Sequence, residues 1–294
     1  MVDVASRPIP DALQAMPRGF WSRALRHRAF MIGAVLTGTM VCAALLSLVW
    51  TPHSPTEIVV AAKLQPPSWS HWMGTDQFGR DILSALMAGA QTSIVVGLIA
   101  VGVGAGLGVA LGLLAAARGG WLEELVMRLN DLTFAFPVIL IAILITAGWG
   151  PGIANAIIAL GIYNIPIFAR LVRGAATAIW AREFVLAARA AGKGRFRITV
   201  EHILPNVVSV IIVQATISFA IAILAEAALS YLGVGSQPPT PSWGRMLSES
   251  QTFLFFAPML GLWPGGVIVF SVLGLNLMGD GLRDLLDPRL SRQR

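Results

Sequence analysis

The sequence is poor in charge. Asp, Glu, Lys and Arg make up 12% of its 294 residues while 56% are hydrophobic, against about 25% charged in an ordinary soluble domain. Too few ionised groups remain to coat a water-facing surface, which points to lipid as the solvent. Cysteine occurs once, at Cys42, which excludes an intramolecular disulfide framework and leaves it as a small packing residue. A G-x-x-x-x-G-K-[ST] phosphate loop is also missing: "AGKGR" at Ala191 to Arg195 lacks both the upstream glycine and the hydroxyl. The chain therefore has no visible means of hydrolysing ATP itself. Dinucleotide patterns starting at Gly102 or Gly104 fail at Leu107 and Val109, and neither follows a strand. No Ser/His/Asp or paired-carboxylate arrangement is present, so no catalytic residue is assigned. His27, His53, His71 and His202 are scattered without metal-ligand spacing, so no metal site is expected.

The charges that do occur come in clusters. None falls in Ala29 to Thr56, Ile82 to Ala117, Leu132 to Ala169, Asn206 to Ala225 or Ser250 to Gly279. A hydrocarbon core about 30 Å thick takes roughly 20 helical residues to cross, so these intervals hold at least five spans. Leu132 to Ala169 is too long for one helix, and "GWGPG" at Gly148 to Gly152 divides it. The expectation is an all-α membrane protein with six transmembrane helices, at about 29–50, 92–117, 132–148, 152–169, 207–231 and 257–279. With the N-terminus inside, 18 of the 21 basic residues fall on inside segments and only Lys63, Arg80 and Arg245 outside. Cytoplasmic loops retain positive charge, so both termini are expected in the cytoplasm. The net charge of +6 then needs no nucleic acid to explain it. The apolar run from Ala29 to Trp50 exceeds the 7 to 15 residues of a cleavable signal and is read as a span.

The organisation expected is an N-terminal part, 1–85, a five-helix core, 86–282, and a tail, 283–294. The N-terminal part holds the first span and an outer segment rich in Pro, Trp and Ser; the core contains an inside loop at 170–206. In the second span Gly104, Gly108 and Gly112 share one helical face, a spacing that lets two backbones approach closely. Pro137, Pro166, Pro258 and Pro264 lie in or beside spans and favour kinks.

The inside loop carries the densest charge, in "EFVLAARAAGKGRFRITVEHILPN" from Glu183 to Asn206. Its first part suits a helix, Gly192 and Gly194 interrupt it, and helix restarts near Arg195. Phe196, Val200, Ile203 and Leu204 then form one apolar stripe at i, i+4, i+7 and i+8. Pro205 is expected to push Leu204 out of helical geometry and to open the fifth span. A solvated loop, an interfacial helix on anionic lipid and a docking surface for a cytoplasmic partner all fit this pattern.

The stretch "AARAAG" followed by "HILP" resembles the EAA loop of permease subunits of ATP-binding-cassette importers, matching at Ala187, Ala188, Gly192, Leu204 and Pro205. Leu186 replaces the motif's glutamate and His202 its first isoleucine. "HWMGTDQFGRDILS", "AEAALSYLGVGSQPPTPSWGRML" and "GDGLRDLLDPRL" are similar to the oligopeptide, dipeptide and nickel branch, and extend the resemblance over roughly residues 71 to 290. The resemblance implies a type I importer permease fold in a bacterial inner membrane. It also implies a second permease subunit, two ATPase subunits that hold ATP and Mg, an extracytoplasmic binding protein, and no cofactor in this chain. The loop would then be a coupling helix seated on an ATPase. Asp76, Arg80, Asp81 and Trp243 become candidates for docking the binding protein. Glu226, the one acidic residue within a span, is given a structural or gating role in preference to substrate binding. Nickel or another small solute is the alternative cargo. An ion-gradient-driven secondary transporter is the alternative of another class, and it should show several midplane charges and an internal repeat.

Overall fold

The computed structural model describes residues 20–286, and these are helical apart from loops and one isolated bridge between Thr75 and Asp81. After a short helix α1 (Phe20–Ala24) come α2 (Arg28–Leu46), α3 (Ile82–Arg118), α4 (Gly120–Phe134), α5 (Val138–Trp149) and α6 (Ile153–Trp180). They are followed by α7 (Glu183–Ala190), α8 (Arg195–Ile198), α9 (Leu204–Tyr231), α10 (Trp243–Ser250) and α11 (Met259–Leu286). Five stretches, α2, α3, α6, α8–α9 and α11, are long and apolar enough to cross a membrane, and there are six if the bent pair α4–α5 is counted as one span.

The bundle has two unlike ends. At one, α2 begins, α3 and α6 finish with Arg118 and Trp180, and α11 ends beside the start of α2, where His27 Nε2 lies 3.2 Å from Asp284 Oδ2. This end carries α4, α7 and α8 and most of the described arginines. The opposite end carries the long segment between α2 and α3, the loop after α9, and α10.

The glycine stripe of α3 does what its spacing predicts. A Cβ at Gly104, Gly108 or Gly112 would come within 2.2 to 2.5 Å of Asn164 Cβ, Ile165 O or Ala169 O of α6. Only hydrogen fits there, so α3 and α6 cross almost backbone to backbone. Near the opposite end, Met40 and Ala44 of α2 share one buried cluster with Ile82 and Leu86 of α3, Ile223 of α9, Trp243 and Leu275. The first span is thus packed into the same core as the other helices.

Two boundaries differ from the expectation. The second span, expected from about residue 92, starts at Ile82, because Asp81 caps the helix by accepting from the Ser84 amide at 2.9 Å. Its first turns, Ile82 to Gln91, read as part of the segment outside the span in the sequence, yet most of their residues are buried, and Trp243 packs on Leu86 and Gly89. At 37 residues it rises about 55 Å, far more than the hydrocarbon needs. The third span is a broken one: α4 and α5 meet at 81°. Pro137, at the N-cap of α5, lacks the N–H that would continue the ladder and holds Phe136 off helical geometry. The break expected at "GWGPG" is present, with α5 capped by Gly150 at φ +82°.

Candidate functional site

At the arginine-rich end, α7, a glycine turn and α8 follow the order expected of the loop. Gly192 sits at φ +79°; its N–H donates to Arg189 O and the Lys193 N–H to Ala188 O, at 2.9 and 3.1 Å. This is a Schellman closure, and it favours glycine because the left-handed region costs other residues about 1–2 kcal/mol. Val185, Ala188, Ile198, Ile203 and Val207 are buried against Val172, Ala176, Ile179 and Trp180 of α6, with Leu113 and Ala116 of α3 alongside. The segment is therefore fastened to three spans rather than hanging between two. Arg189 lies over the Trp180 ring, 4.9 Å from its centroid.

The expected stripe is split. Ile203 is fully buried within the chain and Leu204 partly so, whereas Phe196 is 84% and Val200 46% exposed. Helical period alone does not say which neighbour an apolar side chain meets, and here Ile198 and Ile203 meet their own α6. Phe184 and Leu186 of α7 are exposed too, and Ala187 is also exposed while Ala188 is packed inward. In the same segment, Glu201 accepts from Lys193 Nζ at 2.6 Å and from Arg197 Nε at 2.5 Å. Those two hydrogen bonds hold its carboxyl down at about 2. His202 Nε2 lies 3.1 Å from the same Lys193.

Leu204 keeps helical angles, contrary to expectation, with φ −54° and ψ −48°. The chain passes Pro205 through a π-helical turn, Thr199–Ile203, in which the Leu204 N–H reaches back to Thr199 O. The wider turn accommodates the proline ring without breaking the helix. Asn206 Nδ2 donates to His202 O at 2.7 Å. As a result α8 and α9 form one continuous rod of 37 residues.

The other end is polar and self-satisfied. Glu226, 1% exposed, accepts hydroxyl hydrogen bonds from Ser93 of α3 at 3.1 Å, Ser230 at 2.8 Å and Ser242 at 2.9 Å. It ties α3, α9 and the loop before α10 together. Trp243 is 0% exposed, its Nε1 donating to Leu86 O at 2.9 Å, and its ring fills the space left by Gly89. That corrects its placement on an outer docking surface: a ring sealed between α3 and α9 meets no partner. Asp76 and Asp81 are buried as well. Asp76 closes a turn by accepting from the Phe78 and Arg80 amides and from Arg80 Nε, the last at 2.6 Å. The Asp76–Arg80 contact belongs to that turn and not to a helix.

Arg80 also donates to Glu249 at 2.6 Å, and Glu249 accepts from Arg245 at 2.8 Å. Burial alone would lower the Arg80 guanidinium, but Asp76 and Glu249 outweigh it and keep the group charged. Burial likewise pushes the Asp81 carboxyl up, and the hydrogen bonds from Ser84 and His71, with His53 nearby, more than reverse this. A carboxylate depressed in this way stabilises the fold above its ordinary range, and the contribution is lost as pH falls through the folded value. The histidines are not all scattered: His53 and His71 converge on Asp81, with one ligand atom from each of the three within 4.8 Å of the others. His53 is 18 positions from His71 and 28 from Asp81, so the three meet only through the fold and sequence spacing could not show it.

Comparison with known proteins agrees with the geometry. Residues 108–292 match the family model of the binding-protein-dependent transport system inner membrane component, and residues 18–67 that of the N-terminal transmembrane domain of oligopeptide transport permease C. The chain belongs to this family of importer permeases. Within it, the chain is 44% identical to the dipeptide transport system permease protein DppC of Alkalihalophilus pseudofirmus, over 90% of this chain and 87% of that one. It is 42% identical to the glutathione transport system permease protein GsiD of Escherichia coli, over 96% and 93% of the two chains. A solved inward-facing structure of the methionine ABC transporter MetNI superposes with a TM-score of 0.57 at 19% identity, over 68% of this chain and 95% of that one. At that identity the likeness speaks for the type I importer fold. A permease of this family is a multi-pass membrane protein that works with a partner permease, ATPases and a binding protein. The ion-gradient alternative is not favoured, since Glu226 is consumed by three serines.

Proposed function

We propose that this permease carries peptides or similar small solutes inward across a bacterial inner membrane. A second, different permease subunit would complete the pathway, an extracytoplasmic protein would deliver the cargo, and two ATPase subunits would bind ATP and Mg. Both termini and the α7–α8 segment would lie in the cytoplasm, in line with the 18 basic residues assigned to that side. Dipeptides and glutathione are the cargo named for the relatives, and both are peptides, which favours them over nickel.

The observation that carries the reading is the exposure of Phe184, Leu186, Phe196 and Val200 on a segment clamped to α3, α6 and α9. Exposed apolar side chains on such a rigid mount suit a partner's cleft. Because α8 and α9 are one rod, a push on Phe196 moves the whole span, as rigid-body alternating access requires. Replacing Phe196 and Val200 together by Asp tests this. Loss of ATPase co-purification and of cargo uptake, with normal membrane insertion, is expected; unchanged co-purification and uptake would refute the docking role. Gly192→Trp, which strains the Schellman turn, is expected to weaken the same association.

A further inference from the structure

Neither the coupling segment nor the Glu226 network uses the group made by His53, His71 and Asp81. His53 lies just beyond α2, and its backbone N–H donates to Ser84 Oγ at 3.0 Å. That hydroxyl in turn donates to Asp81 Oδ2 at 2.7 Å, and the Ser84 amide reaches the same oxygen at 2.9 Å. With Oδ2 committed to capping α3, Asp81 Oδ1 is left facing both imidazoles. His71 Nδ1 is 2.9 Å from it and His53 Nδ1 3.8 Å. The two rings lie side by side, 4.4 Å between centroids and tilted by 34°.

A histidine–aspartate hydrogen bond accounts for His71. It does not account for His53, whose Nδ1 points at the same oxygen from beyond hydrogen-bond range. A cation between them would account for both. Zn–N and Zn–carboxylate bonds are about 2.0–2.2 Å, so two ligands disposed tetrahedrally sit about 3.4 Å apart. The observed 2.9 and 3.8 Å straddle that value, and the three ligand atoms, which lie within 4.8 Å of one another, would draw together around an ion by a turn of the exposed His53 ring. The hydrogen bonds on Oδ2 supply the outer shell that fixes a ligating carboxylate.

We propose that His53, His71 and Asp81 bind a borderline divalent cation, Zn2+ being the type case, with a fourth position open to water. Two imidazoles and one carboxylate suit such an ion over Mg2+ or Ca2+. The ion would staple the start of the outer segment and the loop at residue 71 onto the first turn of α3, beside the Arg80–Glu249 pair. The site stands on this chain's own geometry and does not depend on the cargo or on ATPase docking.

The test is a calorimetric titration of the full chain in detergent, stripped with chelator, using Zn2+ alone. One saturable equivalent is expected. Loss of even an outer-shell partner lowers metal affinity by on the order of 10–100-fold, so His53→Ala and His71→Ala should each weaken binding by about tenfold or more, and His202→Ala should not. Zn2+ should also raise the thermal unfolding midpoint of the unsubstituted chain and leave that of His53→Ala unchanged. If His71→Ala fails to fold, His53→Ala decides the matter, because its ring is partly exposed and makes no short contact with Asp81. Absence of saturable Zn2+ binding, or wild-type affinity in His53→Ala, overturns the site.

Discussion

The two ends of the bundle spend their side chains in opposite ways. At the end that carries α10, proposed to be the outer one, Asp76, Arg80, Glu226, Trp243 and Glu249 are all paired or buried within the chain. At the basic end Glu201 is likewise paired, with Lys193 and Arg197, but Phe184, Leu186, Phe196 and Val200 of the segment between α6 and α9 are exposed. The contrast teaches that conspicuous chemistry in the sequence marks internal architecture here, while the surface proposed for the ATPase is made of plain residues on a rigid mount. Removing an outer-end residue should therefore cost stability, and removing a basic-end residue should cost association.

Substitutions at the outer end are the strongest way to break this contrast. Trp243→Ala should destabilise the purified chain by about 4 kcal/mol, in the range for a buried aromatic lost to a cavity, seen as a large drop in thermal unfolding temperature. Unchanged stability with lost binding-protein association would return Trp243 to the surface. Glu226→Ala leaves three serine hydroxyls without their acceptor and should cost about 3 kcal/mol by the same measurement. If it leaves stability intact and abolishes transport, Glu226 serves the transport cycle and not the architecture. At the basic end, Gly192→Ala should cost about 1 kcal/mol through its left-handed conformation alone, since a Cβ there meets nothing within 4 Å. The smallest stability effect belongs to Phe196→Asp with Val200→Asp, within about 0.5 kcal/mol as for other exposed sites, although this pair should lose the most association.

The sequence showed those parts of the fold that depend on local chemistry. Charge-free intervals located the spans, "GWGPG" the break before α6, and the glycines at 104, 108 and 112 the close crossing of α3 and α6. The helix, glycine turn and helix of the basic end followed from propensity and φ preference. What stayed hidden depends on which surfaces meet. An amphipathic period cannot say whether Ile203 faces a partner or α6. Nothing local joins Ser93 or Ser242 to Glu226, or His53 to Asp81, because those contacts exist only after the helices assemble. The 81° bend at Pro137 was hidden because a proline beside a span is compatible with a mild kink as well as a break. Pro205 misled in the other direction: a π turn absorbs it, so the helix that looked interrupted is continuous.

The exposed surface at Phe196 is proposed to touch an ATPase, and the opposite end of the bundle is not. Cys42 is the only cysteine, so its replacement by Ser gives a background in which single cysteines report position. Phe196→Cys and Trp69→Cys, the latter on the outer segment and 98% exposed, are to be treated with a short bismaleimide in membranes containing the assembled transporter. A cross-linked product with an ATPase subunit is expected from Phe196→Cys and none from Trp69→Cys. An ATPase adduct from Trp69→Cys, or none from Phe196→Cys in an assembled complex, would contradict it.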